Sequence, residues 1–137
     1  MTRQTAEAMA DQDDVRRIAL SLPEVSEHDE GFSFSVPNRG KAKGFAWAWM
    51  ERVEPKRPRV AREDVVAIRV LDATDKRALL DSHPEWCFTE PHYNGFPAVL
   101  VRLPEVPLDR LEELLVDGWR CQAPRRLVEE WERSQDG

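Results

Sequence analysis

The order of periodicities in this 137-residue chain predicts an α+β domain, a two-layer sandwich whose mainly antiparallel five-stranded sheet carries helices on one face, in the order α-β-β-β-α-β-β-α-α. Three observations lead there. Several short runs alternate apolar and polar residues with period two, as half-buried strands do. Others repeat their apolar residues at i, i+3, i+4 and i+7, as one face of a helix does. The links between strand-like runs are rich in Pro, Asn and Gly, which suits hairpins better than the long crossovers of a parallel sheet.

Each element has its own justification. Val15, Ile18, Ala19 and Leu22 share one helical face, with Asp13 or Asp14 placed to cap it and Pro23 to stop it. The acidic stretch Pro23 to Gly31 reads as a loop, and the alternating FSFSV that follows reaches the turn formers Pro37, Asn38 and Gly40. The returning strand, GFAWAWM, places Phe45, Trp47 and Trp49 on one face and Ala46, Ala48 and Met50 on the other if the alternation is unbroken. Large aromatics belong in a core, so Trp47 and Trp49 are expected beneath the first and last helices. Pro55 and Pro58 exclude a paired strand over RVEPKRPR. VVAIRV (65–70) is β-branched and strand-like, and Asp72 or Thr74 caps a helix carrying Ala78, Leu79 and Leu80 up to His83-Pro84. WCFT and FPAVLVRL form two strands across a turn at Asn94-Gly95. Leu108, Leu111, Leu114 and Leu115 make an amphipathic helix ended at Asp117-Gly118, and Pro124 opens a last helix with Leu127, Val128 and Trp131.

Residues 1–12 read as a flexible or loosely helical tail, 13–133 as a single domain and 134–137 as a C-terminal tail. The longest uncharged apolar-rich run, Gly44 to Met50, is far short of the roughly 20 residues needed to cross a bilayer. The first residues hold no apolar signal-peptide centre, so the cytoplasm is the expected compartment and no membrane partner is expected. Cys87 and Cys121, too few for a disulfide framework, read as reduced thiols.

Charge is uneven. The chain totals −6, yet Arg39 to Arg62 holds eight basic residues against two acidic ones, a local +6 that leaves −12 elsewhere. The basic residues are Arg39, Lys41, Lys43, Arg52, Lys56, Arg57, Arg59 and Arg62. A run of this kind is either a solvated surface loop paired with neighbouring carboxylates or a contact for phosphates. Arg120, Arg125 and Arg126 add a smaller patch, with Asp117 in reach of Arg120.

The tracts DVRRIALSLPEV, KGFAWAWM, FTEPHYNGFPAVLVRL and GWRCQAPRRLV together resemble the MmcQ/YjbR family of small bacterial proteins, over about Asp13 to Trp131. The resemblance implies a two-layer fold similar to the bacterial frataxin homologue and to secretion chaperones, with DNA binding inferred from paired hairpin "wings". It also singles out His92, Tyr93 and Asn94 as a family tract. Where many members carry Lys-x-His-Trp after this tract, the present chain has Gly95-Phe96-Pro97-Ala98, so polar chemistry of that run does not carry over.

No nucleophile motif, P-loop or dinucleotide fingerprint accompanies His92, which therefore reads as a turn-fixing residue, and no catalytic residue is assigned. His83, Cys87, His92 and Cys121 lack metal-ligand spacing. The carboxylates Glu7, Asp11, Asp13 and Asp14 suit a helix N-terminus better than an iron site. No metal or cofactor is expected. The leading expectation is a non-enzymatic domain that binds nucleic acid, DNA foremost, through the Arg39 to Arg62 hairpin and loop. A protein-interaction or chaperone-like module, with a protein partner or homodimer, is the alternative. A small-molecule-binding protein or enzyme using His92 comes third.

Overall fold

Alternation and turn chemistry organise a computed structural model in which residues 10–28, 32–51 and 60–136 are described. The elements are α1 (Gln12–Leu20), β1 (Ser26–Glu27), β2 (Ser33–Asn38), β3 (Lys41–Glu51), β4 (Val60–Arg69), α2 (Ala73–Ser82), β5 (Cys87–Phe88), a 3₁₀ turn (Pro91–Tyr93), β6 (Ala98–Arg102), α3 (Leu108–Gln122) and α4 (Arg125–Asp136). The strands form one antiparallel sheet in the order β1-β2-β3-β4-β6-β5. The α+β class with helices on one face stands; the sixth strand is β1, inside the stretch expected as an acidic loop. Two residues suffice there because Ser26 and Glu27 only have to satisfy the β2 edge opposite Ser35 and Phe34. β1 ends before Pro37, so the missing proline N–H costs no ladder bond and β2 runs on to Asn38.

Helix α1 starts one turn earlier than Asp14: its N-cap is Asp11, and Asp11 and Asp14 exchange side-chain-to-backbone bonds of 3.0 and 3.1 Å. Asp72 caps α2 as expected, accepting from the Asp75 N–H at 2.9 Å. Helix α3 does not end at Asp117-Gly118 but continues to Gln122. Gly118 serves close approach instead of termination: a Cβ there would lie 3.0 Å from the Arg69 carbonyl and 3.3 Å from that of Phe45, so α3 rests on β3 and β4 at a distance that any side chain would crowd. The expected tight hairpin at Asn94-Gly95 is a longer connection containing the 3₁₀ turn, with Gly95 at φ +84°.

The main core lies between the sheet and the helices, where Phe34, Val36, Phe45, Ile68, Val99 and Val101 meet Val15, Leu111, Leu115 and Trp119. The placement of Trp47 and Trp49 beneath the helices is overturned. Between β2 and β3 the register passes from Phe34↔Ala46 to Ser35↔Gly44, leaving Phe45 as an extra residue, a β-bulge. Phe45 and Ala46 are therefore both buried on the helix side, and the alternation resumes one step out of phase. Trp47 and Trp49 consequently sit half-buried on the helix-free face, over Val65, Ala67 and Leu100.

Candidate functional site

The tip of the β2–β3 hairpin is built by Arg39 and Gly40, at φ +56° and +80°. Two successive left-handed residues make the turn type whose twist matches that of the flanking strands, and they display Arg39 outward. Lys41 and Lys43 follow on β3, both exposed. Two side-chain bonds dock this tip on the α3–α4 junction. Asn38 donates through Nδ2 to the Gln122 carbonyl at 2.9 Å, and Gln122 donates through Nε2 to the Gly44 carbonyl at 2.9 Å.

That docking brings Arg125 and Arg126, the first turn of α4, opposite the hairpin cations. Between them lies a cleft of about 740 Å³ lined by Asn38, Arg39, Lys41, Lys43, Pro124, Arg125 and Arg126, with no carboxylate among the lining residues. Arg125 and Arg126 pair with Glu129 and Glu130 at 3.0 and 3.4 Å along the exposed helix surface. Such i, i+4 pairs are worth only about 0.3–0.5 kcal/mol and yield readily to a stronger anion. The α4 dipole adds positive potential at the same end.

The far end of the basic run fares differently. Arg62 grips Asp64 through Nε and Nη2 at 2.9 and 2.8 Å, and its hydrogen bonds hold the Asp64 carboxyl below its ordinary range. The Arg62 guanidinium lies 5.8 Å from the Trp49 ring centre, and that of Arg102 lies 4.1 Å from the Phe88 ring. Trp49 and Phe88 meet edge to face at 5.7 Å. Lys43 and Trp49, six strand residues apart, are separated by about 20 Å, so Arg62 does not join the hairpin cations. Arg52, Lys56, Arg57 and Arg59 lie outside the described residues.

His92 is exposed on the 3₁₀ turn, its ring 6.1 Å from that of Tyr93, and among the described residues its side chain makes no hydrogen bond that would fix the turn. Lys76, which sequence reasoning passed over, does that. It is only 8% exposed and donates through Nζ to the carbonyls of Tyr93 and Phe96 at 2.6 and 2.9 Å, with its pKa lowered by desolvation. Tyr93 in turn accepts at its hydroxyl from Trp47 Nε1 at 3.0 Å, while Asn94 is exposed beside Gly95. The family tract is thus tied to the aromatic, helix-free face and not to the cationic cleft.

Both cysteines are free thiols, and burial pushes Cys87 up to about 12. His83 stacks on Trp86 at 4.5 Å. Among the described residues no group of three or more His, Cys, Asp or Glu side chains is disposed to hold a metal ion. Arg120 is occupied, pairing with Asp117 and Glu132 at 3.0 Å each. No helix among the described residues is long and apolar enough to cross a membrane.

No protein-family model matches the chain. Uncharacterised proteins of Mycobacterium tuberculosis and Mycobacterium bovis are 38% identical to it over 130 residues, which covers 88% of this chain and 95% of theirs. The crystal structure of a Deinococcus radiodurans protein with a DUF419 domain superposes with a TM-score of 0.59 at 26% identity, over 82% of this chain and 78% of that one. The chain belongs to the family of these uncharacterised mycobacterial proteins, and its structural neighbour is a domain of DUF419, the same family as MmcQ/YjbR.

Proposed function

We propose that this protein is a non-enzymatic, cytoplasmic member of the MmcQ/YjbR family that binds nucleic acid, DNA foremost, through the cleft between the β2–β3 hairpin tip and the start of α4. The observation that carries the reading is the make-up of that cleft. In a chain of net charge −6, five cations from two elements more than eighty residues apart line one concave surface without a carboxylate. Phosphate oxygens are the ligand such a surface fits, since Lys and Arg neutralise them as point charges and release condensed counterions. The acidic remainder of the molecule repels a polyanion and so confines contact to this end.

The test is fluorescence anisotropy of labelled single-stranded and duplex oligonucleotides. The expected result is non-specific binding with Kd of about 10⁻⁴ to 10⁻⁶ M at physiological salt, tightening as salt is lowered. Absence of binding at low salt overturns the reading.

One observation favours a second reading, a protein-interaction module. Phe96, 44% exposed, packs edge to face on Trp47 and Tyr93 at the margin of the helix-free, aromatic face. A self-associating protein would show a concentration-dependent mass in sedimentation, lost in Phe96→Ser, and would not respond to oligonucleotides.

A further inference from the structure

Helices α2 and α3 lie side by side on the sheet without closing on each other. The gap is a cleft of about 550 Å³, within the range typical of small-molecule sites. Its walls include Ala78 and Leu79 from α2 and Leu114 from α3, and its charged lining resolves almost completely into neighbouring pairs. Arg110 bonds Glu113 at 3.1 Å and Arg120 bonds Asp117 at 3.0 Å. Two lining charges lack an ion-pair partner among the described residues. Arg69, at the end of β4, donates through Nε to the Val70 carbonyl at 3.3 Å and lies 6.0 Å from the exposed Phe96 ring, but has no carboxylate within ion-pair distance among the described residues. Asp75, of opposite sign, has no cation within ion-pair distance among them either.

The Asp75 carboxylate lacks such a partner for a reason visible in the helix caps. In α1 the pair Asp11 and Asp14 completes a reciprocal capping box. The same spacing recurs at Asp72 and Asp75, yet only Asp72 makes its bond, and the Asp75 carboxylate lines the cleft instead of reaching back. Arg69 and Asp75 also stay too far apart to pair with each other. An apolar-walled cleft with one cation and one anion that lack ion-pair partners among the described residues matches a ligand that carries both complementary charges on an apolar body.

We infer that the α2–α3 cleft binds an amphipathic zwitterion, an amino acid or short peptide with an apolar side chain, its carboxylate on Arg69 and its ammonium on Asp75. The Cys121 thiol lines the same cleft: burial raises its pKa, Arg69 opposes that, and Asp117, Asp75 and Asp72 add to it. The site is separate from the hairpin cleft, and the two share no lining residue.

The test is a chemical-shift titration of the ¹⁵N-labelled protein with L-phenylalanine and with L-leucyl-L-phenylalanine, each also in N-acetylated and C-amidated form. Binding should shift the amides of residues 69–71, 75–79 and 113–121. Loss of one charge-assisted contact should weaken binding about tenfold for each blocked form. Asp75→Asn should erase the penalty of acetylation and Arg69→Gln that of amidation. The relative response to amino acid and dipeptide tells which size the cleft takes. Ala78→Phe, on the exposed side of α2, fills the cleft and should abolish the shifts with the fold intact. The proposal is overturned by no shift in these segments at about 10 mM of either zwitterion, by blocked forms binding as well as free ones, or by shifts that survive Ala78→Phe.

Discussion

The two ends of the basic run share a composition and have opposite electrostatic fates. At the hairpin end Arg39, Lys41 and Lys43 meet more cations, Arg125 and Arg126, across a cleft with no lining carboxylate. At the β4 end Arg62 is clamped on Asp64 and rests over Trp49, with Arg102 over Phe88 beside it. Sequence density of Lys and Arg is therefore a poor guide to binding by itself. What decides is whether the fold brings each cation an internal acceptor, a carboxylate or an aromatic face, or leaves it facing like charge, where an outside anion relieves the repulsion.

This contrast depends on the bulge at Phe45, which sends that ring into the main core and the next two aromatics to the helix-free face. Phe45→Ala should accordingly give the largest effect, a loss of about 3–5 kcal/mol in denaturant unfolding, as large core truncations do. Trp49→Ala should cost less, about 1–2 kcal/mol, because the ring is half-buried and its Nε1 is buried without a hydrogen-bond partner among the described residues, so truncation also removes a desolvation penalty. Equal losses for the two would mean that both rings share one core. Gln122→Ala removes the bond to Gly44 and should cost about 1 kcal/mol in stability, while oligonucleotide affinity drops because the hairpin is no longer held over α4. The smallest effect sharpens the other end. Asp64 titrates below its unfolded value of 3.8, so its pair contributes stability above that pH and loses it as pH falls through the lowered folded value. Arg62→Gln should flatten this acid limb slightly in pH-dependent unfolding, whereas Lys41→Ser should leave it unchanged.

The class of fold was legible because alternation, helical spacing and turn residues agree along most of the chain. Asp72 at the start of α2 and Pro124 ahead of α4 are examples where a local signal and the structure coincide. Two glycines carried information that local reading misassigned. Gly44 precedes the bulge at Phe45, and a glycine inside a strand pattern often marks such a break in phase. Gly118 looks like a helix stop, yet its function is contact with β3 and β4, which only the packed helix reveals. The candidate site was half legible. Arg39, Lys41 and Lys43 stood out by density, and Arg125 and Arg126 as a smaller patch. Their meeting, however, depends on Asn38 and Gln122, 84 residues apart, bonding across the fold. Lys76 carries no local signal at all, since its role is set by the carbonyls of a turn 17 and 20 residues away.

The most direct test of the contrast is a salt titration of oligonucleotide binding by two double variants, Lys41→Ser/Lys43→Ser at the hairpin end and Arg62→Gln/Arg102→Gln at the β4 end. Each lost phosphate contact lowers the slope of log affinity against log salt by about 0.9 on duplex DNA. The hairpin-end variant should therefore lose about two units of slope while unfolding like the parent protein, and the β4-end variant should keep the parent slope. Equal slopes for all three proteins, or a loss confined to the β4-end variant, would contradict the assignment of phosphate binding to the hairpin cleft.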